Sequence, residues 1–527
     1  MAAKAVREAV VTLSSQPYDL AIIGAGINGA GIARDAAGRG LKLVIIDAGD
    51  IGGATSSAST KLIHGGLRYL EYFAFGLVRK ALAEREVLLD IAPHITWPQP
   101  FVLPHAAGMR PVWMLRLGTF LYDHLARREV VPGSARIDLR AERAGRALDP
   151  RYRTAFRYWD GWVDDARLVV ENLKDAAARG ATVLPRAPVA RAERVDGLWC
   201  LTLEGGRTLT ARRLINAAGP WAEDVARRVM GLNDDAPPLR LVQGSHIVTR
   251  RVHLGRDAFM LQQPDGRIIF IIPYEHDYSL IGTTESDVAR PEDAKVSDAE
   301  VEYLLSAANR YLARPLTPDD VVHRFVGVRP LILESGKDDP ESSRETTRDY
   351  RLVEHDGLDA MTIVGGKITT YRVLAEDVLR RILPKSKSWT SSAPLPGGAI
   401  ERGTDRFGRG EHGQTAFKRW LEHLQAREAN YDPKLVKRLA MTFGAPAADM
   451  LAGGLGRNLG GIFEAELEYF RDHEWATTSA DVLWRRTKLG LHLDAAAQAE
   501  VARWFGEEPA ELREIPAGHR FARPGVD

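Results

Sequence analysis

The stretch YDLAIIGAGINGAGIARDAAGRGLKLVIIDAGD, residues 18–50, leaves the chain little choice of local fold. Residues 20–23 and 41–46 are apolar runs of strand length, and the alanine-rich segment between them carries apolar residues at helical spacing. The spacing predicts a β-α-β unit with Gly24, Gly26 and Gly29 of a G-x-G-x-x-G at the strand-to-helix turn. Gly24 permits the turn, Gly26 lets backbone approach a pyrophosphate, and Gly29 permits close helix-strand packing, with Asn28 between them. The helix N-terminus then faces the phosphates. Asp47 closes the second strand at the distance, roughly 20 residues on, expected of a carboxylate that binds a ribose hydroxyl. Such an acid favours NAD or the adenosine half of FAD over NADP, and the fingerprint alone leaves those two open.

Position separates them. After a short turn the chain enters GGATSSASTKLIHGGLRY, residues 52–69, a run of small residues suited to lie along a long extended cofactor. A second glycine-bearing strand end, RRLINAAGPWA at 212–222, can bring Ala218 and Gly219 to the same ligand. These features favour FAD.

With 527 residues the chain exceeds one hydrophobic core, so two or three domains are expected. From 180 to 370 short β-like runs such as GSHIVT, RIIFIIPY and MTIVGG are separated by turns and predict a mixed or antiparallel sheet inserted among the strands of the nucleotide domain. The Pro-, Ser- and Gly-rich stretch at 383–398 reads as a linker, and TAFKRWLEHLQAREA, PKLVKRLAMTFG and AAAQAEVARWFGE beyond it predict helices. The expected ranges are 17–80, 155–235 and 345–382 for a discontinuous nucleotide domain, 81–154 and 236–344 for a substrate domain, and 399–527 for a helical C-terminal domain.

A net charge of +1 gives no global field for nucleic acid, so no nucleic-acid partner is expected. The one cysteine, Cys200, rules out an internal disulfide and a cysteine-rich metal site, so no metal is expected and an intracellular setting fits best. The first residues lack a signal-peptide core, and no apolar run reaches the roughly 18 residues of a membrane span. Peripheral attachment stays open, because GMRPVWMLRLGTFLYDHLARR at 108–128 mixes Trp113, Met114, Leu115, Leu117, Phe120 and Leu121 with Arg110, Arg116, Arg127 and Arg128. That composition suits an interfacial helix and, equally, an amphipathic helix packed on the core.

In the order DLAIIGAGINGAGIARDAAGRGL, ATSSASTKLIHGGLRYLE, ALAEREVLLDIAPHI, YDHL, WVDDARLVVENLKDAAARGA, NAAGPW, GSHIV, GVRPL, GGKITTYR and VLWRRTKLGLHL, the chain resembles the FAD-dependent glycerol-3-phosphate dehydrogenases of the aerobic respiratory branch. The resemblance implies an α/β fold: a glutathione-reductase-like, Rossmann-type FAD domain, an inserted sheet domain for substrate, and a helical C-terminal cap. It implies oxidation of sn-glycerol 3-phosphate to dihydroxyacetone phosphate, with electrons passing through FAD to a membrane quinone. The implied setting is cytoplasmic, on the inner face of the cytoplasmic membrane, and the implied partners are substrate, quinone and membrane surface, with a homodimer among the permitted assemblies. The alternatives are a flavin oxidase that uses oxygen and a non-catalytic nucleotide-binding protein.

Oxidising a secondary alcohol needs a hydride acceptor, a base, and fixed cations for the phosphate. Arg68, Arg329 and Lys367 are the cationic candidates, since guanidinium groups clamp phosphate with two hydrogen bonds and lysine offers a compact charge. The resemblance places the same positions around substrate, with Arg329 and Lys367 counted among the catalytic residues. His246 is the expected substrate-side base, with His64 on the flavin side, and Tyr69 and Thr370 are candidate hydrogen-bond partners of substrate. Thr55, Ser56, Ser57, Ser59, Thr60, Lys61, Gly65 and Gly66, together with Gly366 and Lys367, complete the expected cofactor wall.

Overall fold

In a computed structural model, residues 16–106, 109, 111–232, 235–332, 349–404 and 410–508 are described. Strand Tyr18–Ile23, helix Ile27–Gly38 and strand Leu43–Ile46 form the expected β-α-β unit. Strand Tyr18–Ile23 is central: it runs parallel to Leu43–Ile46 on one side and Thr208–Asn216 on the other. The sheet extends through Thr182–Leu184 at one edge and, at the other, through Ala360–Val364 to Arg351–His355. Both faces of the central strands are covered, which is why they read as unbroken apolar runs rather than alternating ones. Helix Ile27–Gly38 is almost wholly buried between this sheet and helices Asp165–Ala178 and Tyr371–Ile382. Small residues make that possible, for a Cβ at Gly31 would stand 2.6 Å from the Tyr371 ring.

A second, ten-stranded sheet is antiparallel except where Ala258–Gln262 meets Thr96–His105. Strand Leu239–Arg250, which carries His246, lies between Val321–Ile332, which carries Arg329, and Tyr278–Gly282. Strand Thr154–Val163 pairs along its length with Thr96–His105 and so belongs to this sheet. The segment expected to open the second part of the nucleotide domain, from 155, thus lies as far as Val163 in the sheet that carries His246 and Arg329, because an apolar strand carries no mark of which sheet it will join.

The C-terminal helices Gly413–Arg427, Pro433–Phe443, Glu464–Glu474 and Ala495–Trp504 enclose a core of their own around Phe443, Phe470 and Val436. The stretch at 383–398 does not behave as a free linker. Trp389 lies against Gly38 and under the guanidiniums of Arg34 and Arg179, and Leu395 is fully buried. Residues 107, 108, 110, 233–234, 333–348, 405–409 and 509–527 of the expected ranges, Arg110 among them, lie outside the described residues.

Candidate active site

The fingerprint turn is closed by contacts that only glycine allows. Gly24 has φ +104°, and a Cβ there would fall 2.4 Å from the Ala217 carbonyl oxygen. A Cβ on Gly29 would fall 1.9 Å from the Gly24 carbonyl oxygen. NAAGPW thus approaches the fingerprint as its glycines suggest, with the Ala217 N–H donating to the Ile23 carbonyl at 2.8 Å. Asp47 accepts from the Ala25 N–H at 2.6 Å and the Gly49 N–H at 2.8 Å, so its carboxylate is fixed from both directions. Burial raises its carboxyl above the ordinary range against those two N–H bonds.

Asn28 ties the fingerprint helix to the last expected wall, its Nδ2 donating to the Gly365 carbonyl at 3.0 Å. Its Oδ1 is buried without a hydrogen-bond partner. Gly366 sits beside it at φ +98°. A helix N-terminus, an orphan acceptor and a turn crowded at Gly24, Gly29 and Gly366 suit an extended dinucleotide such as FAD, and the residues that could hold it are Gly24, Gly26, Asn28, Gly29, Asp47, Ala218, Gly219 and Gly366.

SSASTKLIHGGLRYLE runs from this cradle to the second sheet, and hydrogen bonds fix nearly every step. Thr55 Oγ1 donates to the Val328 carbonyl at 2.6 Å, and Ser56 Oγ accepts from the Ile27 N–H at 3.0 Å at the head of the fingerprint helix. Ser57 Oγ returns to the Ala54 carbonyl. Ser59 donates from both N and Oγ to Asp165, at 3.0 and 2.7 Å. Lys61, with φ +60°, is 1% exposed, and its Nζ lies 2.8 Å from the fully buried Asp165 and 3.1 Å from the Ser57 carbonyl. Its charge is thus engaged inside the protein and braces this wall from behind. Gly65 donates to Asp160 Oδ1 at 3.3 Å, and the His64 N–H donates to Thr369 Oγ1 at 3.2 Å. Thr369 is thus the hydroxyl that reaches the HGG turn, and Thr370, the candidate partner of substrate, is buried at the start of helix Tyr371–Ile382.

Gly66, at φ +77°, starts a short 3-10 turn, Leu67–Tyr72, that carries Arg68 and Tyr69. The Lys367 ammonium stands 4.0 Å from the centre of the Tyr69 ring, so the turn and the GGK loop meet through a cation-π contact. Arg329 comes from the second sheet: its Nη1 is 3.3 Å from Glu285, its side chain is about one-third exposed, and a Cβ on Gly244 would stand 2.9 Å from its Nη2. His246 is 2% exposed, stacks on Phe325 at 4.9 Å, and has Nε2 2.9 Å from Thr60 Oγ1. Burial, then the charges of Arg329 and Lys61, bring its pKa down to about 3, so the imidazole is neutral at physiological pH.

The structure therefore brings the fingerprint, 55–69, 217–219, 244–246, 327–329 and 365–369 together at the carboxyl edge of the parallel sheet, where open α/β sheets bind ligands. Sequence reasoning missed Asp165, Asp160 and Thr369. The signal for the first was the acidic pair in WVDDARL, where Asp164 caps the helix by accepting from the Arg167 N–H and Asp165 is left to face Lys61. Asp160 and Thr369 had none. Among the described residues no group of acidic, histidine or cysteine side chains could hold a metal ion.

The family of FAD dependent oxidoreductases matches residues 19–372, and the C-terminal domain of alpha-glycerophosphate oxidase matches residues 388–509. D-erythritol 1-phosphate dehydrogenase of Brucella abortus is 45% identical over 92% of this chain and 97% of that protein. Aerobic glycerol-3-phosphate dehydrogenase of Escherichia coli is 42% identical over 93% of this chain and 97% of its own length. The crystal structure of glycerol-3-phosphate dehydrogenase from Bacillus halodurans complexed with FAD superposes with a TM-score of 0.72 at 26% identity, covering 95% of this chain and 93% of that one. The glycine-bearing turn and the matched length agree: the chain belongs to the family of FAD dependent oxidoreductases, and its C-terminal part matches the C-terminal domain of alpha-glycerophosphate oxidase.

Proposed function

We propose that this enzyme oxidises sn-glycerol 3-phosphate at its secondary carbon to dihydroxyacetone phosphate, with FAD as acceptor and a membrane quinone as the onward electron sink. The observation that carries the reading is that three cationic side chains and one neutral histidine stand on the same loops and strands that build the flavin cradle. Bound FAD supplies the two-electron oxidant. Arg329, Lys367 and Arg68 offset the phosphate charge and orient the carbinol, which lowers the barrier mainly by fixing geometry. His246 takes the hydroxyl proton. It is neutral, Thr60 and Phe325 fix the plane of its ring, and the substrate phosphate, set against Arg329, offsets one of the charges that otherwise hold its basicity down.

Quinone reduction would take place at a lipid surface, and helix Val112–His124 supports such a position on the inner face of the cytoplasmic membrane. Val112 and Leu115 pack on the core, with Tyr122 buried, while Trp113, Leu117 and Phe120 are 64%, 50% and 57% exposed. The adjoining turn adds Phe73 at 79%. The helix thus packs on the core by one face and presents an apolar face to solvent by the other, and that exposed face is what supports the membrane reading. Among the described residues no helix is long and apolar enough to cross a membrane.

A second substrate is favoured by the 45% identity to an erythritol-phosphate enzyme, since D-erythritol 1-phosphate offers the same phosphate and a secondary alcohol. Anaerobic addition of each phosphate to the flavin-loaded enzyme, followed by a soluble quinone, tests the proposal. Bleaching and recovery with glycerol phosphate supports it, faster bleaching with erythritol phosphate transfers it to the second substrate, and peroxide release in air moves it to the oxidase reading. Flavin that stays oxidised with both overturns it.

A further inference from the structure

Two adjacent arginines, Arg485 and Arg486, lie in the C-terminal helical region, far along the chain from the flavin cradle, yet both end on one buried carboxylate of the nucleotide domain. Arg486 grips Asp50 with two bonds, Nη1 to Oδ2 at 2.6 Å and Nη2 to Oδ1 at 2.8 Å, and Arg485 Nε adds a third at 2.5 Å. Asp50 and Arg486 are almost completely excluded from solvent. Arg186 of the nucleotide domain stands 3.6 Å from Asp50 and donates to Asp481 at 2.7 Å, and Asp481 in turn accepts from Arg485.

Asp50 is three residues beyond Asp47, in a loop with no slack. The Gly49 N–H donates to the Asp47 carboxylate at 2.8 Å, and the Gly52 N–H donates to the Ala25 carbonyl at 3.0 Å. Ala25 is the fingerprint residue whose own N–H donates to Asp47. The Arg186 N–H bonds the Gly49 carbonyl at 2.9 Å. The carboxylate gripped from the C-terminal domain is therefore one peptide from the residue that orients the ribose-side acid and two from the residue that fixes the phosphate turn.

We propose that Arg486, supported by Arg485 and Asp481, is a positioning residue for FAD: through Asp50 the C-terminal domain holds the 47–53 loop in its cofactor-binding form. Coupling of this kind is reciprocal, so FAD also tightens the docking of the C-terminal domain. The inference rests on the flavin site alone and uses no substrate, so it stands or falls separately from the reading of the reaction.

The test uses the full chain stripped of FAD and titrated with FAD by flavin fluorescence. In Arg486→Met the dissociation constant rises between about fivefold and a hundredfold. Amide exchange in 481–486 slows on FAD addition in the unaltered protein and not in the variant. Arg402→Met is the control, since it breaks the Asp90 pair, another contact of the C-terminal domain, 2.9 Å long and remote in sequence from the 47–53 loop. Its FAD affinity stays within about twofold. Should Arg486→Met not fold, Asp481→Asn removes the outer brace while leaving the Asp50–Arg486 pair, and it weakens FAD in the same direction. Unchanged FAD affinity in Arg486→Met, or in Asp481→Asn if that is the variant that folds, overturns the proposal, as does equal weakening in Arg402→Met.

Discussion

Asp165→Asn should be a costly conservative change away from direct ligand contact. Asp165 is fully buried and accepts from Lys61 Nζ at 2.8 Å, from Ser59 at 3.0 and 2.7 Å, and from its neighbour's N–H at 2.9 Å. Asparagine keeps the shape but leaves the Lys61 ammonium, itself 1% exposed, facing no countercharge. Removing one partner of a buried ion pair costs about 3–5 kcal/mol. The bond from Lys61 to the Ser57 carbonyl survives, which puts the expectation at the lower end, about 3 kcal/mol. Lys61→Met should cost less, because Asp165 retains its three N–H and O–H donors, and the double variant should recover much of the loss, since a buried pair replaced as a unit is close to neutral. Urea unfolding of the four proteins, followed by release of flavin fluorescence, gives the cycle. A single-variant cost below about 1 kcal/mol, or strict additivity of the two changes, would refute the argument, because residues in one buried pair should couple. Lys61→Met should also let the His246 pKa rise, one of its depressing charges being gone.

Arg329→Ala, Lys367→Met and Arg68→Ala should each lower kcat/KM for the phosphorylated substrate by about tenfold to a hundredfold, the worth of one hydrogen bond to a charged group, with FAD content unchanged by absorbance. Stability should fall on acidification between the ordinary histidine value and about 3, because unfolded His246 binds a proton that the folded form refuses; urea midpoints against pH should show that slope, and His246→Asn should flatten part of it. His94 and His323, both held down to about 4 chiefly by burial, should add to the same slope. Trp113→Glu with Phe120→Glu should reduce co-sedimentation with anionic vesicles while leaving turnover with a soluble quinone unchanged.

The nucleotide half of the fold was legible because its determinants are local. A turn with φ near +104° needs glycine at position 24, a helix packed within 1.9 Å of a would-be Cβ needs glycine at 29, and strands buried on both faces need unbroken apolar runs, so residue type alone marks all three. His246, Arg329 and Lys367 could be named as candidates for a similar reason, since a phosphate and an alcohol proton restrict the side chains that can serve. Their assembly was not local. Strand Thr154–Val163 joins the second sheet, Thr369 meets the HGG turn, Lys61 turns inward to Asp165, and Trp389 fills the space beside Gly38, all through contacts between residues from about fifty to several hundred positions apart. The sequence determined which chemistry the chain can carry, because turns, strands and charged groups act through the residues that own them. Only the tertiary structure decided which of those groups face the cradle and which brace it from behind, because burial and ion pairing are properties of places that several distant segments make together.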